Sequence, residues 1–232
     1  MSTTQNEPIV NLNESPVPLQ TRSEETALRA TETTVVAMPG VANGVPTSVF
    51  GFAIVVTMLS LANSGILGSG TTFVPIAMVI GFFAIGIGGL VELRNGDIFG
   101  GTFGVVYAAF LLATGVILQF FSPAADADAA TLNSFGDEVG AYFLIAALLS
   151  VVFTVAARLV NLVAVAAFAL LALVLLFAGL ANIVGGDTGA DLTKIAGFIG
   201  LADGVVAFYL AAGILLNTMH GRDMLPLLPP KA

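Results

Sequence analysis

Six long apolar segments dominate the chain after its first 47 residues. They cover Ser48–Leu67, Phe73–Leu93, Ile98–Phe121, Val139–Ala157, Leu159–Ile183 and Ile195–Asn217. An α-helix needs about 20 apolar residues to cross the hydrocarbon core of a bilayer, which is about 30 Å thick. Because every segment is near this length, the pattern predicts an all-α membrane protein built as a bundle of six transmembrane helices.

The polar segments between the helices predict the connections. A charged hinge, Glu92–Asp97, separates the second and third segments and predicts a tight hairpin. A polar, acidic loop is expected over Ser122–Glu138, and a loop rich in Gly and Asp is expected before Ile195. Small residues on both sides of the hinge would let the two helices approach closely, as membrane helix interfaces require; they include Gly81, Gly86, Gly88, Gly89, Gly100, Gly101 and Gly104.

Residues 1–45 differ from the rest of the chain, being polar and poor in aromatic residues. Such a segment cannot bury enough apolar surface to order itself. It also lacks the basic start and adjoining apolar core of a cleavable signal peptide. The sequence therefore predicts a disordered cytoplasmic tail over 1–45, a six-helix transporter domain over 46–221 and a short cytoplasmic tail over 222–232.

Composition excludes several classes of function. The chain is 57% hydrophobic and 9% charged, and its net charge of −8 argues against a nucleic-acid partner. The absence of cysteine excludes disulfides and thiolate metal sites. No motif for a metalloprotease, a nucleophile elbow or a phosphate loop is present, so we expect neither an enzyme nor a cofactor. His220, the sole histidine, is expected to be a solvated residue beside the membrane.

The basic residues predict the orientation in the membrane. With six spans, one side would hold Arg22, Arg29, Arg94, Arg158, Arg222 and Lys231, and the other side would hold Lys194 alone. Positively charged loops favour the cytoplasmic face. Both termini are therefore expected in the cytoplasm, with the chain in the inner or plasma membrane.

Two motifs carry a resemblance to a known family. The run Asn43-Gly44-Val45-Pro46-Thr47-Ser48-Val49-Phe50-Gly51-Phe52 is similar to Asn-Pro-Ala-Pro-Leu-Gly-Leu-x-Gly-Phe of the acetate uptake transporter family, which includes the bacterial succinate–acetate permeases. Asn43, Pro46, Gly51 and Phe52 match, whereas Gly44, Thr47 and Ser48 differ. The run Glu92-Leu93-Arg94-Asn95-Gly96-Asp97-Ile98-Phe99-Gly100 resembles the family's Glu-Phe-Arg-Lys-Gly-Asn-Thr-Phe-Gly, and Tyr107 follows at the family's tyrosine position.

The resemblance implies a six-helix protomer that assembles as a hexamer, with a solute path through each protomer. It also implies transport of acetate and related short-chain carboxylates, with succinate among them, by a channel or by a symporter that carries protons as well. In the family a phenylalanine, a tyrosine and a leucine narrow the path. Phe52, Tyr107 and Leu171 match these three positions.

The residues themselves leave alternatives open. On pattern alone Phe52 could pack or face lipid, and Tyr107 could be an interhelical hydrogen bonder. Asn63 could cap the first helix or contact the solute. Glu92 could form an exposed interfacial pair with Arg94 or belong to a substrate-binding vestibule.

Asp203 is an acid about 12 Å into the sixth predicted span. Intramembrane acids are costly and are functional candidates by default. Gly200 and Gly204 flank it, which suggests that it points into protein. It is either a proton-coupling residue or a structural acid hydrogen-bonded between helices.

Other functions fit the same bundle. One is a channel for another small solute, such as ammonia, urea or formate. A second is a membrane sensor that transports nothing and organises partners through its tail.

Overall fold

The structure, a computed structural model, describes residues 42–68, 72–124 and 126–229. Within these residues lie six helices that are long and apolar enough to cross a membrane: α1 Val45–Asn63, α2 Phe73–Asn95, α3 Ile98–Phe121, α4 Ala129–Ala157, α5 Leu162–Val184 and α6 Gly186–His220. The predicted six-helix membrane bundle is confirmed. The predicted N-terminal tail lies outside the described residues except for 42–45, and Arg22, Arg29 and Lys231 also lie outside them.

Two predicted loops are helical where they adjoin the membrane. The prediction of a loop over Ser122–Glu138 is wrong for its second half, because α4 already begins at Ala129. The loop predicted before Ile195 is also wrong, because α6 begins at Gly186. Helices of 29 and 35 residues are about 43 and 52 Å long, so both exceed a hydrocarbon core of about 30 Å. Their polar first turns fit outside that core, where water can solvate them.

The start of α4 is set by a helix cap. The backbone N–H and the hydroxyl of Thr131 donate to the Asp128 carboxylate, at 2.9 and 3.0 Å. These hydrogen bonds satisfy one orphan donor of the first turn and hold the pKa of Asp128 below its usual range. The cap therefore explains why the helix begins before the apolar segment does.

The helices pack in the order α3–α2–α1–α6–α5–α4. The two ends of this series meet through side chains, because aromatic rings of α3 contact Phe153 of α4 and Phe168 of α5. The bundle is thus closed around a central axis. The buried core lies along this axis and includes Phe52, Phe103, Tyr107, Phe168 and Leu171.

The predicted hairpin of α2 and α3 is present. Gly96 ends α2 with a φ of 81°, a left-handed conformation that glycine adopts without strain. Asp97 then caps α3 by accepting from the N–H groups of Phe99 and Gly100. Further from the turn, the backbones of α2 and α3 are in close contact, since a Cβ at Gly89 would lie 2.7 Å from the Cα of Gly104.

Candidate solute path

A cavity of about 70 Å³ opens at the end of the bundle where α1, α3 and α5 begin and α6 ends. Most of its wall is apolar, with side chains that include Val49, Phe52, Phe99, Phe103, Phe168, Leu171, Ala207 and Leu210. Asp97 and Asn161 add polar groups at its mouth. Both of these side chains cap a helix, Asp97 at α3 and Asn161 at α5 through a 2.7 Å bond from the N–H of Ala164. The cavity is thus an apolar vestibule with a polar rim.

Aromatic rings close the inner end of this vestibule. Phe103 is the centre of the cluster, with its ring centroid 6.1 Å from that of Phe52 and 5.1 Å from that of Phe168. Phe153 stacks on Phe168 at 5.2 Å. A hydrated ion cannot enter such a layer without losing water that the rings do not replace, which is costly.

Tyr107 lies one helical turn beyond Phe103, against the cluster but outside the cavity wall. Its side chain is 1% exposed, and its hydroxyl is 2.6 Å from the hydroxyl of Ser150 on α4. Ser150 also lies 2.9 Å from the carbonyl oxygen of Ala146. Because a serine has one hydroxyl proton and gives it to Ala146, Tyr107 must be the donor to Ser150.

The three residues matched through the resemblance lie close together. Phe52 and Leu171 line the same cavity, and Tyr107 packs on Phe103 and Phe168, which also line it. Tyr107 also forms a hydrogen bond between α3 and α4, which was the alternative that the sequence pattern alone suggested. Their roles in transport stay predictions.

Glu92 is buried, whereas one interpretation of the sequence placed it in an exposed pair with Arg94. Its side chain is 5% exposed, and its carboxylate accepts from the backbone N–H of Gly44 and from the amide of Asn95 at 3.2 Å. The Gly44 N–H precedes α1 and has no carbonyl of its own helix to meet, so Glu92 ties the start of α1 to the end of α2. Glu92 does not line the cavity, and Arg94 is exposed.

Asn63 and Asp203 lie away from the vestibule. Asn63 is the last residue of α1, at the opposite end of the bundle, and is half-buried. Asp203 is in the middle of α6 and has no exposed surface. Neither residue lines the cavity.

Sequence reasoning did not single out the aromatic layer itself. Phe103, Phe153 and Phe168 sit in uniformly apolar helices, where inward and lipid-facing positions look alike. Ser150 did carry a signal, because a serine in the middle of an apolar span needs a partner. That signal could have paired α4 with the tyrosine of α3.

Comparison with known proteins agrees with this architecture. The sequence profile of the GPR1/FUN34/yaaH family matches residues 27–223. The succinate-acetate/proton symporter SatP of Escherichia coli (strain K12) is 30% identical over 188 residues, covering 80% of this chain and 95% of SatP. An uncharacterized protein of Methanothermobacter thermautotrophicus is 28% identical over 205 residues, covering 84% of this chain and 95% of the relative.

A solved structure also resembles this chain. The structure of the bacterial acetate channel SatP superposes with a TM-score of 0.70 at 26% identity, covering 80% of this chain and 98% of that one. The family profile alone spans most of the sequence. The chain therefore belongs to the GPR1/FUN34/yaaH family.

Proposed function

We propose that the chain is a membrane permease for acetate and related short carboxylates, with succinate among them. The observation that carries this proposal is the apolar vestibule, which is closed at its inner end by Phe52, Leu171 and the aromatic layer in front of Tyr107. The similarity to SatP, named as a succinate-acetate/proton symporter and as an acetate channel, supports the same substrate class.

The wall chemistry favours a small acid that crosses without its negative charge. Apolar rings do not replace the water that a carboxylate loses, so its dehydration is costly, whereas dehydration of the neutral acid costs much less. Only about a few tenths of a percent of such an acid is neutral at pH 7. Transport is therefore proposed to be proton-linked and to rise at acid pH.

The vestibule is proposed to face the cytoplasm, with both termini on that side of the inner membrane. Arg94, Arg158 and Arg222 lie at its end of the bundle, and Lys194 lies near the start of α6 at the other end. This distribution follows the excess of basic residues in cytoplasmic loops. Single cysteines introduced at Arg222 and Lys194 should react with a membrane-impermeant maleimide from opposite sides of the membrane.

Assembly as a hexamer is also proposed, with one solute path in each protomer. Many large apolar side chains are exposed on the outside of the single chain, among them Phe83, Leu90, Leu148 and Val152. These can face lipid or a second copy. Native mass spectrometry in a mild detergent should give the mass of six chains.

The function is tested by labelled-solute uptake in vesicles that contain the purified protein. Acetate uptake above that of protein-free vesicles, rising from pH 8 to pH 5 and inhibited by succinate, is the expected result. Flat acetate uptake over this range would contradict the proton link. Uptake of urea or ammonia without acetate would indicate a channel for another solute, and no flux of any solute would favour a sensor.

A further inference from the structure

Three buried oxygen atoms on facing helices have no hydrogen-bond partner among the described residues. They are both carboxyl oxygens of Asp203 on α6 and the hydroxyl oxygen of Thr57 on α1. Asp203 has no exposed surface at all. Buried polar groups are almost always satisfied, so an unpaired acid and an unpaired hydroxyl in one seam call for an explanation, such as a bound proton, water or ion.

The seam between α1 and α6 is built to bring polar atoms together. A Cβ added at Gly204 would meet the Thr57 hydroxyl, and one added at Gly200 would meet the Ser60 hydroxyl. Because both glycines lack side chains, the two hydroxyls of α1 lie against the stretch of α6 that holds Asp203. This stretch is therefore a polar seam within an otherwise apolar bundle.

The other helices give Asp203 no cation. From α3, the hydroxyl proton of Tyr107 is directed to Ser150 of α4. From α5, Val174 packs beside Gly200. All of α1, α3 and α5, and residues 139–157 of α4, contain no Asp, Glu, Lys, Arg or His; in α2 the charged residues, Glu92 and Arg94, lie in its last turn. The polar groups that α1 places against this stretch of α6 are thus the hydroxyls of Thr57 and Ser60.

Asp203 lies on the inner side of the aromatic layer. It precedes Ala207, which lines the vestibule, by four residues, or about 6 Å along α6. Thr57 follows Phe52 by five residues, or about 7.5 Å along α1. Along the bundle axis, Asp203 therefore lies between the Lys194 end and the constriction.

We propose that Asp203, with the Thr57 hydroxyl in the same seam, is the site that supplies the coupled proton; this inference rests on the proposed function. In the closed bundle the acid is neutral, because an unpaired carboxylate there would be too costly. When a carboxylate arrives, the O–H bond at Asp203 breaks and an O–H bond forms on the substrate. The neutral acid crosses the apolar layer, and Asp203 regains one proton from water at the Lys194 end. One proton moves with each carboxylate.

The test uses vesicles that contain the full-length protein and a trapped pH dye. Variants are Asp203→Asn and Thr57→Val, which keep the side-chain shape. Asp187→Asn is the matched control, because the same change is made at an exposed position of the same helix. Uptake by protein-free vesicles is subtracted, since neutral acetic acid also crosses lipid.

Wild type and Asp187→Asn should take up acetate at least tenfold faster at pH 5.5 than at pH 7.5 and acidify the lumen. Asp203→Asn should lose most of its protein-dependent uptake and lumen acidification in vesicles with equal amounts of folded protein. Exchange of labelled for unlabelled acetate should fall with them, because no proton reaches the carboxylate before the apolar layer. Thr57→Val should shift the pH profile and keep exchange. An Asp203→Asn profile that matches wild type, lumen acidification included, would overturn the proposal.

A second measurement separates this proposal from the proposed function. Infrared difference spectra between acid and alkaline pH should show a protonated-carboxyl band in wild type that is missing in Asp203→Asn. A band that responds neither to pH nor to acetate would make Asp203 a permanently neutral structural acid and overturn the proposal. If wild-type vesicles carry no acetate, the proposed function fails, and the pH response of this band still decides whether Asp203 binds and releases a proton.

Discussion

Replacing Tyr107 by phenylalanine removes one hydroxyl from the proposed path and leaves the ring that packs on Phe103 and Phe168. In the resting structure the phenol donates to Ser150, and Ser150 donates to the carbonyl of Ala146. The phenol proton is therefore in use when no solute is bound. A carboxylate can receive it only if the bond to Ser150 is exchanged for one to the solute.

The expected effect follows from the difference between two hydrogen bonds. A bond to a charged group contributes about 1.5–3 kcal/mol, and the neutral bond given up contributes about 0.5–1.5 kcal/mol. The net gain is about 1–2 kcal/mol, and each 1.4 kcal/mol is about tenfold in an equilibrium or a rate. Tyr107→Phe should therefore lower kcat/KM for acetate by about 5-fold to 30-fold.

Ser150→Ala is the matched partner variant, and it should act in the opposite direction. Without the serine hydroxyl, the phenol proton is free to reach the solute, and the exchange cost of about 0.5–1.5 kcal/mol disappears. We expect kcat/KM to rise by about twofold to tenfold. Tyr107→Phe should lose about 0.5–1.5 kcal/mol of stability, because Ser150 keeps its bond to Ala146. Ser150→Ala should lose about 1–3 kcal/mol, because it leaves the buried phenol proton unpaired.

Initial rates of labelled acetate uptake over a range of concentrations measure both effects, and thermal melting of the purified protein in detergent measures stability. Opposite shifts in kcat/KM, with both variants less stable than wild type, would support a phenol that contacts the solute. Equal losses of transport in the two variants would refute it and leave Tyr107 as a purely structural link between α3 and α4.

Three further predictions concern the fold and the width of the path. Glu92→Ala leaves the buried Gly44 N–H unpaired and should lower the free energy of unfolding by about 1–3 kcal/mol, whereas Glu138→Ala, at an exposed site, should leave the melting temperature unchanged. Gly104→Ala pushes a methyl group into the backbone of α2 and should lower the free energy of unfolding by about 1–3 kcal/mol, measured by chemical unfolding. Gly86→Ala, on the same interface, should have a much smaller effect. Equal effects of the two variants would refute the close approach of the α2 and α3 backbones. Phe52→Ala opens the constriction and should raise the rate for a four-carbon dicarboxylate relative to acetate in competition uptake; an unchanged ratio would show that this ring does not select by size.

Much of the fold could be predicted because the bilayer sets the length of an apolar helix. The hairpin at Gly96 could also be predicted, since a charged turn between two apolar runs has few alternatives. The first turns of α4 and α6 could not, because polar residues beyond the membrane are compatible with either loop or helix. At α4 the cap at Asp128 decided the outcome.

The candidate site could be predicted only where a motif marks it. Phe52 and Tyr107 stand in recognisable motifs, and the structure places them at or beside one cavity. Phe103 and Phe168 could not be selected, because apolar helices give no periodic contrast between lipid and core. Glu92 shows a related limit, since a charge at a helix end looks the same in sequence whether water or a backbone N–H satisfies it.

The central claim, that solute passes through the vestibule, is tested most directly by filling it. Ala167 lines the cavity, and its neighbour Ala166 is exposed on the same helix. If the claim is right, Ala167→Leu should lower acetate uptake at least tenfold in vesicles with equal amounts of folded protein, and Ala166→Leu should transport like wild type. Undiminished uptake by a folded Ala167→Leu protein would place the solute path elsewhere.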